Sequence, residues 1–596
     1  MLRFWVLARA PSCGQDRRML SPAQLLSRLL LLSFLLLSFA CDSFYDGGRE
    51  PGSDPELGEV PEPASEILLL REILGPKGVL PGLNAIILRD GRIVDVTTRV
   101  AALQYRGAKT RISEYPGGRA LPGLCDAHGH LAGLGKSLET VNLRGARSYD
   151  ELLRRCEAAA AQLPEGAWLE GRGWDQNLWP EQRMPTHDRL SERFPRRPVW
   201  LRRIDGHAGL ANAEAMRRAG IGAKTPAPEG GRILHKAGGE PSGVFVDHAM
   251  SLISRQLPRV DARALERRLL LAQQHCFELG ITRVHDAGVG FAQKRILEEL
   301  ERQGRWKLGV YAMWGAPGYG REPLAVSDPG VRARLRYRAV KLYADGALGS
   351  RGAALLSEYS DEPGNLGLLT LKREELARIV RRCAALGLQP CVHAIGDRAN
   401  RMVLDVYEQE LTAEQRAALR PRIEHAQVLS LQDLPRFARL GVLASMQPTH
   451  LSSDMPWAPT RLGAERVKGA YAFRTLLEAG VHVPFGSDFP VEPASIFDGL
   501  FAAMTTCSPR KPRGPALRPD QQLDPGRALA GFTSEAAYAA HEEGVRGRIA
   551  KGYEGDLTIV DRNLFAVRPG AILGTQVLAT YVGGERVYVE GEGEAR

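Results

Sequence analysis

From about Ile67 onward, short apolar runs alternate with turn residues. EILLLREIL, NAIILRDGRIVDV and RISEYPGGRALPG have strand length and strand composition, and RDGR inside the second has hairpin-turn chemistry. They predict a small β-layer over residues 66–119. After Pro122 the pattern changes. Apolar runs of strand length now alternate with amphipathic stretches such as DARALERRLLLAQQHCFELG and KREELARIVRRCAALG, each stopping at a glycine as helix C-termini often do. This alternation marks β/α units on a parallel sheet. Eight apolar runs end in polar residues: LPGLCDAHGH, RPVWLRRIDGH, GITRVHDAG, RAVKLYADG, LQPCVHAIGD, PRIEHAQ, GVLASMQPTH and VHVPFGSDFP. They predict an α/β protein whose residues 120–543 close into a (β/α)8 TIM barrel, with catalytic groups at the carboxyl ends of the strands. The stretch at about 141–197 is too long for a simple βα connection and is expected as an insertion. Its Trp168, Trp174 and Trp179 either wall an apolar pocket, with Trp174 against substrate, or pack inside the insertion.

The run ends carry the chemistry. Residues i and i+2 of a strand point to the same side, so His128 and His130 project together from the first run. Two such imidazoles make half of a metal site. The fourth run offers Lys341, the fifth His393, the sixth His425 and the eighth Asp488. Each alone has an ordinary structural role open to it, as a buried hydrogen-bonded histidine, a snorkelling lysine or a helix cap. Together, in a chain with 13 histidines, they compose a ligand set for one or two divalent ions, with donors suited to zinc.

Composition narrows the classes further. The chain has 596 residues, 44% hydrophobic and 25% charged, which suits a globular protein with a large core. The net charge of +10 comes mostly from arginine. Acids are interleaved with the basic residues and there is no dense basic tract, so nucleic acid is not an expected partner. Eight cysteines form no CxxC pair, which argues against a disulfide scaffold. The amino terminus is different in kind. LLSRLLLLSFLLLSFAC, Leu25 to Cys41, is an apolar run behind Arg17 and Arg18 that ends in small residues before a cysteine. It predicts a signal peptide over 1–41 and resembles a bacterial lipobox, with a transmembrane anchor as the alternative. Residues 42–65, rich in Pro, Gly and acids, fit a flexible tether. The expectation is export and attachment to the cell-envelope membrane through lipid on Cys41.

LPGLCDAHGHL, DGHAGLANAEAM, VKLYADGALGSRGAAL, HAIGDRAN, RIEHAQ and GSDFPVE together resemble the amidohydrolase superfamily. The branch is amidohydrolase family 3, which includes exoenzyme-regulatory-like proteins and N-substituted formamide deformylases. RGRIAKGYEGDLTIVDRNLF and VLATYVGGERVYV are similar to that family's closing segment. The resemblance implies that residues 544–592 complete a small β-sandwich with 66–119. It implies His128 and His130 as first-strand ligands, and His393 and His425 as those of strands five and six. Asp488 matches the strand-eight aspartate that handles the proton of the attacking water. Lys341 matches a strand-four lysine that is carboxylated and bridges two metals in related enzymes. His207, in DGHAGLAN, matches a position that meets substrate, and His207 or a neighbour such as Arg203 would steady an oxyanion. Gly129 stands where the family commonly has Val, and Cys125 where a larger aliphatic is usual.

The expected activity is hydrolysis of a non-peptide C–N bond in a small amide-type substrate by metal-activated water. Esterase, lactonase or deaminase chemistry would use the same ligands and stays open. So does a non-catalytic, surface-anchored binding protein on a decayed barrel, although the complete ligand set argues against it. A homodimer is also open.

Overall fold

The computed structural model describes residues 61–591 apart from 204–207, 229–230, 259 and 316–325. The signal segment, Cys41, most of the tether and His207 lie outside the described residues. Among the described residues no helix is long and apolar enough to cross a membrane.

Seven parallel strands form the barrel wall, in the order Leu124–Gly129, Ile281–Val289, Gly309–Trp314, Leu335–Tyr343, Gln389–Ala394, Arg422–His425 and Leu443–Ser445. Leu124–Gly129 and Gly309–Trp314 are buried at every residue. Helices cover one face of a parallel sheet and the packed interior covers the other, so the strands lack an alternating pattern. The eighth place is filled by the segment from His482 to Asp488. On one side His482 O accepts from Ala444 N at 3.2 Å, Pro484 O accepts from Met446 N at 3.0 Å, and Gly486 N donates to Met446 O at 3.0 Å. On the other, Phe485 O accepts from Ala127 N at 3.0 Å, and Asp488 N donates to His128 O at 2.7 Å. The chain therefore closes the barrel without a full ladder. Gly486 is required there, since a Cβ on it would lie 2.5 Å from His128 N.

One expected barrel strand is corrected. Val199–Arg203, the second apolar run, belongs to a separate six-stranded sheet with Val141–Asn142, Leu169–Trp174, Ala208–Ala211, Gly231–His235 and Pro241–Asp247. That sheet is the insertion, so it extends well past the expected 197. Gly309–Trp314 takes the vacated place in the barrel. Its sequence, GVYAMW, runs into Gly and Pro and carries no charged residue at its end, so a search for apolar runs ending in polar residues passes over it. The insertion leaves the barrel after the helix Leu131–Glu139 and returns at the helix Ala262–Glu278. These two helices pack so closely that a Cβ on Gly135 would lie 1.9 Å from Arg268 O.

The two ends of the described chain share one sheet. Glu66–Gly75 runs parallel to Arg111–Pro122, which pairs antiparallel with Leu557–Val560, followed by Val577–Val582 and Glu585–Val589. The RDGR turn joins Ala85–Arg89 to Arg92–Thr97 with Asp90 at φ 50° and Gly91 at φ 79°, the paired positive values of a two-residue hairpin loop. Arg111–Pro122 passes into the first barrel strand across Gly123 alone.

The Gly129 position also finds its explanation here. A Cβ on Gly129 would lie 2.5 Å from the ring of Phe489, which is fully buried beside Asp488. The aromatic ring fills the space that a larger residue 129 would use. Gly129→Val is expected to cost about 1–3 kcal/mol by overpacking, read as a lower denaturant midpoint. Adding Phe489→Leu to that variant should recover part of the loss.

Candidate metal centre

The strand ends bring the expected residues together. His128 and His130 leave the first strand with ring centroids 5.6 Å apart. Asp488 Oδ1 lies 3.0 Å from His130 Nε2 and 3.6 Å from His128 Nε2. Lys341 is buried, with Nζ 3.1 Å from His128 Nε2. The His425 ring is 4.9 Å from that of His128, and the His393 ring is 4.5 Å from that of His425. Two compact groups emerge, His128–His130–Asp488 and His425–His450–Asp488, each with ligand atoms within 4.8 Å of one another. His393 joins neither group; its Nε2 faces Asp345 Oδ1 at 3.5 Å.

His450 is the ligand candidate that sequence reasoning did not select. It sits on the helix Pro448–Asp454, which begins three residues after strand seven ends. Its signal was the PTH that closes GVLASMQPTH, the seventh run, from which no ligand was selected. Glu424 was missed as well. It precedes His425 in a strand buried at every residue, and burial without a visible partner gave no reason to select it.

Glu424 and its neighbours hold the imidazoles in one tautomer. Glu424 Oε2 accepts from His128 Nδ1 at 2.5 Å. A carboxylate acceptor requires Nδ1 to carry the proton, which leaves the Nε2 lone pair pointing into the centre. Gln447 Oε1 does the same for His425 Nδ1 at 2.7 Å. Arg422 balances Glu424 across a buried contact of 2.7 Å. It also donates to Ala127 O and Ser445 Oγ, both at 2.8 Å, and to His285 Nδ1 at 2.9 Å. Asp126 anchors the closing segment, its Oδ1 accepting from Ser487 N at 3.0 Å and its Oδ2 from Ser487 Oγ at 2.6 Å. His425 and Asp488 take φ of 75° and 60°. Left-handed backbone at non-glycine residues costs on the order of 1–3 kcal/mol each, and here it coincides with the ligand positions.

The electrostatics favour a cation. Burial, reinforced by the Lys341 charge, pushes His128 down to about 4 and His393 down to about 3. Burial also holds His425 well below the usual imidazole range. These rings are neutral at pH 7 and keep a lone pair. Burial alone would raise Asp488, but the hydrogen bond from His130 and the nearby His128 and His425 hold it well below the usual carboxylate range. Lys341 is lowered by burial, with Glu424 and Asp488 acting against the shift. The buried Nε2 atoms of His393 and His450 have no hydrogen-bond partner among the described residues. Neutral imidazoles with idle lone pairs beside an ionised carboxylate fit a divalent metal ion.

Above these groups lies a cavity of about 380 Å³. His130, Lys341, His393, His425, His450 and Asp488 form its floor, and Tyr343, Leu348, Ile395, Gln427, Trp457 and Val491 contribute to its walls. Trp174 is not among the described lining residues, and its expected contact with substrate is corrected. It is fully buried in the insertion, its indole N–H donating to Leu201 O at 2.8 Å and its rings 6.0 Å from Trp179. The strand pattern of that region packs the indole inward. Arg203 is held by Asp175 at 2.9 Å and Gln176 at 2.8 Å, and it too is absent from the described lining.

Comparison with known proteins agrees with this geometry. The model of the amidohydrolase family matches residues 116–588. A putative amidohydrolase, YtcJ, of Bacillus subtilis is 32% identical over 514 residues, covering 85% of this chain and 96% of that protein. An N-substituted formamide deformylase of Arthrobacter pascens is 27% identical over 524 residues, covering 84% of this chain and 94% of that one. The crystal structure of an uncharacterized metal-dependent hydrolase from Pyrococcus horikoshii superposes with a TM-score of 0.69 at 29% identity, over 85% of this chain and 99% of its own. The family model over most of the chain and the relative at 32% identity, together with the barrel and the candidate ligands at its strand ends, place the chain in the amidohydrolase family.

Proposed function

We propose that this hydrolase cleaves non-peptide C–N bonds of small amides, with water as the nucleophile and a divalent metal, zinc by its donor set, in the centre. The observation that carries the reading is the convergence of His128, His130, His425 and His450 on Asp488, all of them but His128 lining one cavity. The described lining contains no serine, threonine or cysteine to serve as a side-chain nucleophile. The formamide deformylase likeness supports N-substituted formamides as the first compounds to try.

His128, His130, His425 and Asp488 would hold the metal. Bound there, a divalent ion supplies a Lewis acid that acidifies water and polarises a carbonyl. The chain's own residues do the rest. Asp488, kept ionised, accepts the proton of the attacking water at a carboxylate oxygen and later delivers it to the departing nitrogen. An amine leaves poorly without that proton, so an amidase depends on the return step. Leu348, Ile395, Trp457 and Val491 form apolar surface that displaces water around the substrate. Lys341, buried and made less basic, is the amine on which a carboxyl group would form.

Two outcomes test the reading. Chelator treatment should abolish turnover of an N-substituted amide or formamide, and added zinc should restore it. Asp488→Asn should keep its far-ultraviolet circular dichroism and lose roughly a hundredfold or more in kcat. Hydrolysis of esters with no amide turned over, across a matched panel, would move the reading to ester chemistry.

A further inference from the structure

The inserted sheet gathers arginines beside the catalytic cavity. Its strands Val141–Asn142, Leu169–Trp174 and Val199–Arg203 run parallel, so their carboxyl ends share one side. Arg172 and Arg202 occupy paired positions on neighbouring strands. Such strands lie about 4.8 Å apart, and the two side chains leave the same face side by side. Arg144 follows the first strand, where Leu143 N donates to Arg172 O at 2.8 Å. Its side chain crosses Gly173, since a Cβ on that glycine would lie 2.5 Å from Arg144 Cγ. The Arg144 guanidinium donates to Val491 O at 3.3 Å. Val491 and Glu492 line the catalytic cavity, so the arginine cluster adjoins its wall.

We propose that Arg144, Arg172 and Arg202 bind a carboxylate of the substrate, which makes the enzyme selective for amides with an anionic substituent. The proposal rests on the amide-hydrolase reading above and names a substrate class for it. Among the described residues none of the three pairs with a carboxylate, whereas the adjacent Arg203 is held by Asp175. Glu492 attracts Arg144 from beyond ion-pair distance, and its own carboxylate accepts from Ser453 Oγ. Partial burial lowers Arg172 below the usual guanidinium range, and the charges of Arg144 and Arg202 push the same way. Burial lowers Arg144 too, with Glu492 acting against the shift and Arg510 acting with it. Like charges set side by side on neighbouring strands destabilise a sheet. An anion among them offsets that repulsion, and guanidinium forks match a carboxylate with paired N–H bonds. The three residues are too scattered in sequence to make a basic tract, and only the inserted sheet assembles them.

Matched formamides test it on the zinc-loaded, full-length protein. One series is N-formyl-ω-amino acids of increasing chain length, and the other is N-formylalkylamines of the same lengths. Wild type should favour at least one carboxylate over its neutral counterpart by roughly tenfold or more in kcat/KM, the effect of a hydrogen bond between charged groups. In Arg172→Gln combined with Arg202→Gln that preference should fall towards one through a higher KM for the carboxylates. Arg172→Lys combined with Arg202→Lys should keep part of it. Wild type with no preference for a carboxylate at any length overturns the proposal, and this arm needs no variant to fold. A loss shared equally by both series in the glutamine variant overturns it as well, because it marks a structural role. Phosphonates turned over in preference to the carboxylates overturn the carboxylate assignment. If neither series reacts, the hydrolase reading fails for these compounds and binding decides the arginine site by itself. Calorimetry with glutarate, which has no scissile bond, should then show roughly tenfold weaker binding to the glutamine variant than to wild type. Equal binding overturns the site.

Discussion

The centre depends on a buried ion pair. Arg422 and Glu424 are fully buried and lie 2.7 Å apart, and Glu424 spends its other oxygen on His128. Taking both charges out of water is expensive, and removing one partner from such a pair costs about 3–5 kcal/mol. Hydrogen bonds to neighbouring strands support the pair in addition to its Coulomb attraction. Arg422 reaches the first strand at Ala127, the second at His285 and the seventh at Ser445, while Glu424 fixes the proton on His128. One network thus sets the spacing of four strands and the direction of the lone pair that a metal needs.

The second requirement is closure. The segment from His482 to Asp488 makes too few ladder contacts to count as a strand, yet it seals the barrel and delivers the carboxylate. Asp126, Gly486 and the Gly129–Phe489 contact hold it in place. The positive φ of Asp488 is the cost of turning a carboxylate toward histidines on the neighbouring strand. A regular strand would have left that side chain with the alternation of its neighbours.

Much of this was legible in the chain. The His-x-His pair, Lys341, His393, His425 and Asp488 stand at run ends because a barrel places its chemistry there. The paired glycine and aspartate of RDGR read as a hairpin for local steric reasons. What failed did so for equally physical reasons. Val199–Arg203 and Gly309–Trp314 are both short apolar runs, and only pairing partners distinguish an insertion strand from a barrel strand. Trp174 had two readings, pocket wall or internal packing, because bulk is visible in sequence whereas the direction an indole points is not. His450 and Glu424 act through positions set by residues far away in the chain, and a single sequence carries no record of that distance.

The closing segment has a bearing on how the molecule is made. Asp126 and the Ser487 it holds are 361 residues apart in the chain. At ribosomal rates of 5–20 residues per second, about 20–70 s pass between the emergence of one and of the other. Throughout that interval the first barrel strand has an open edge, the kind of surface that recruits wrong partners. The inserted sheet has its own cores and can condense meanwhile. The nascent protein therefore carries an unsealed barrel until the closing segment is made, and its candidate metal centre is completed late in synthesis.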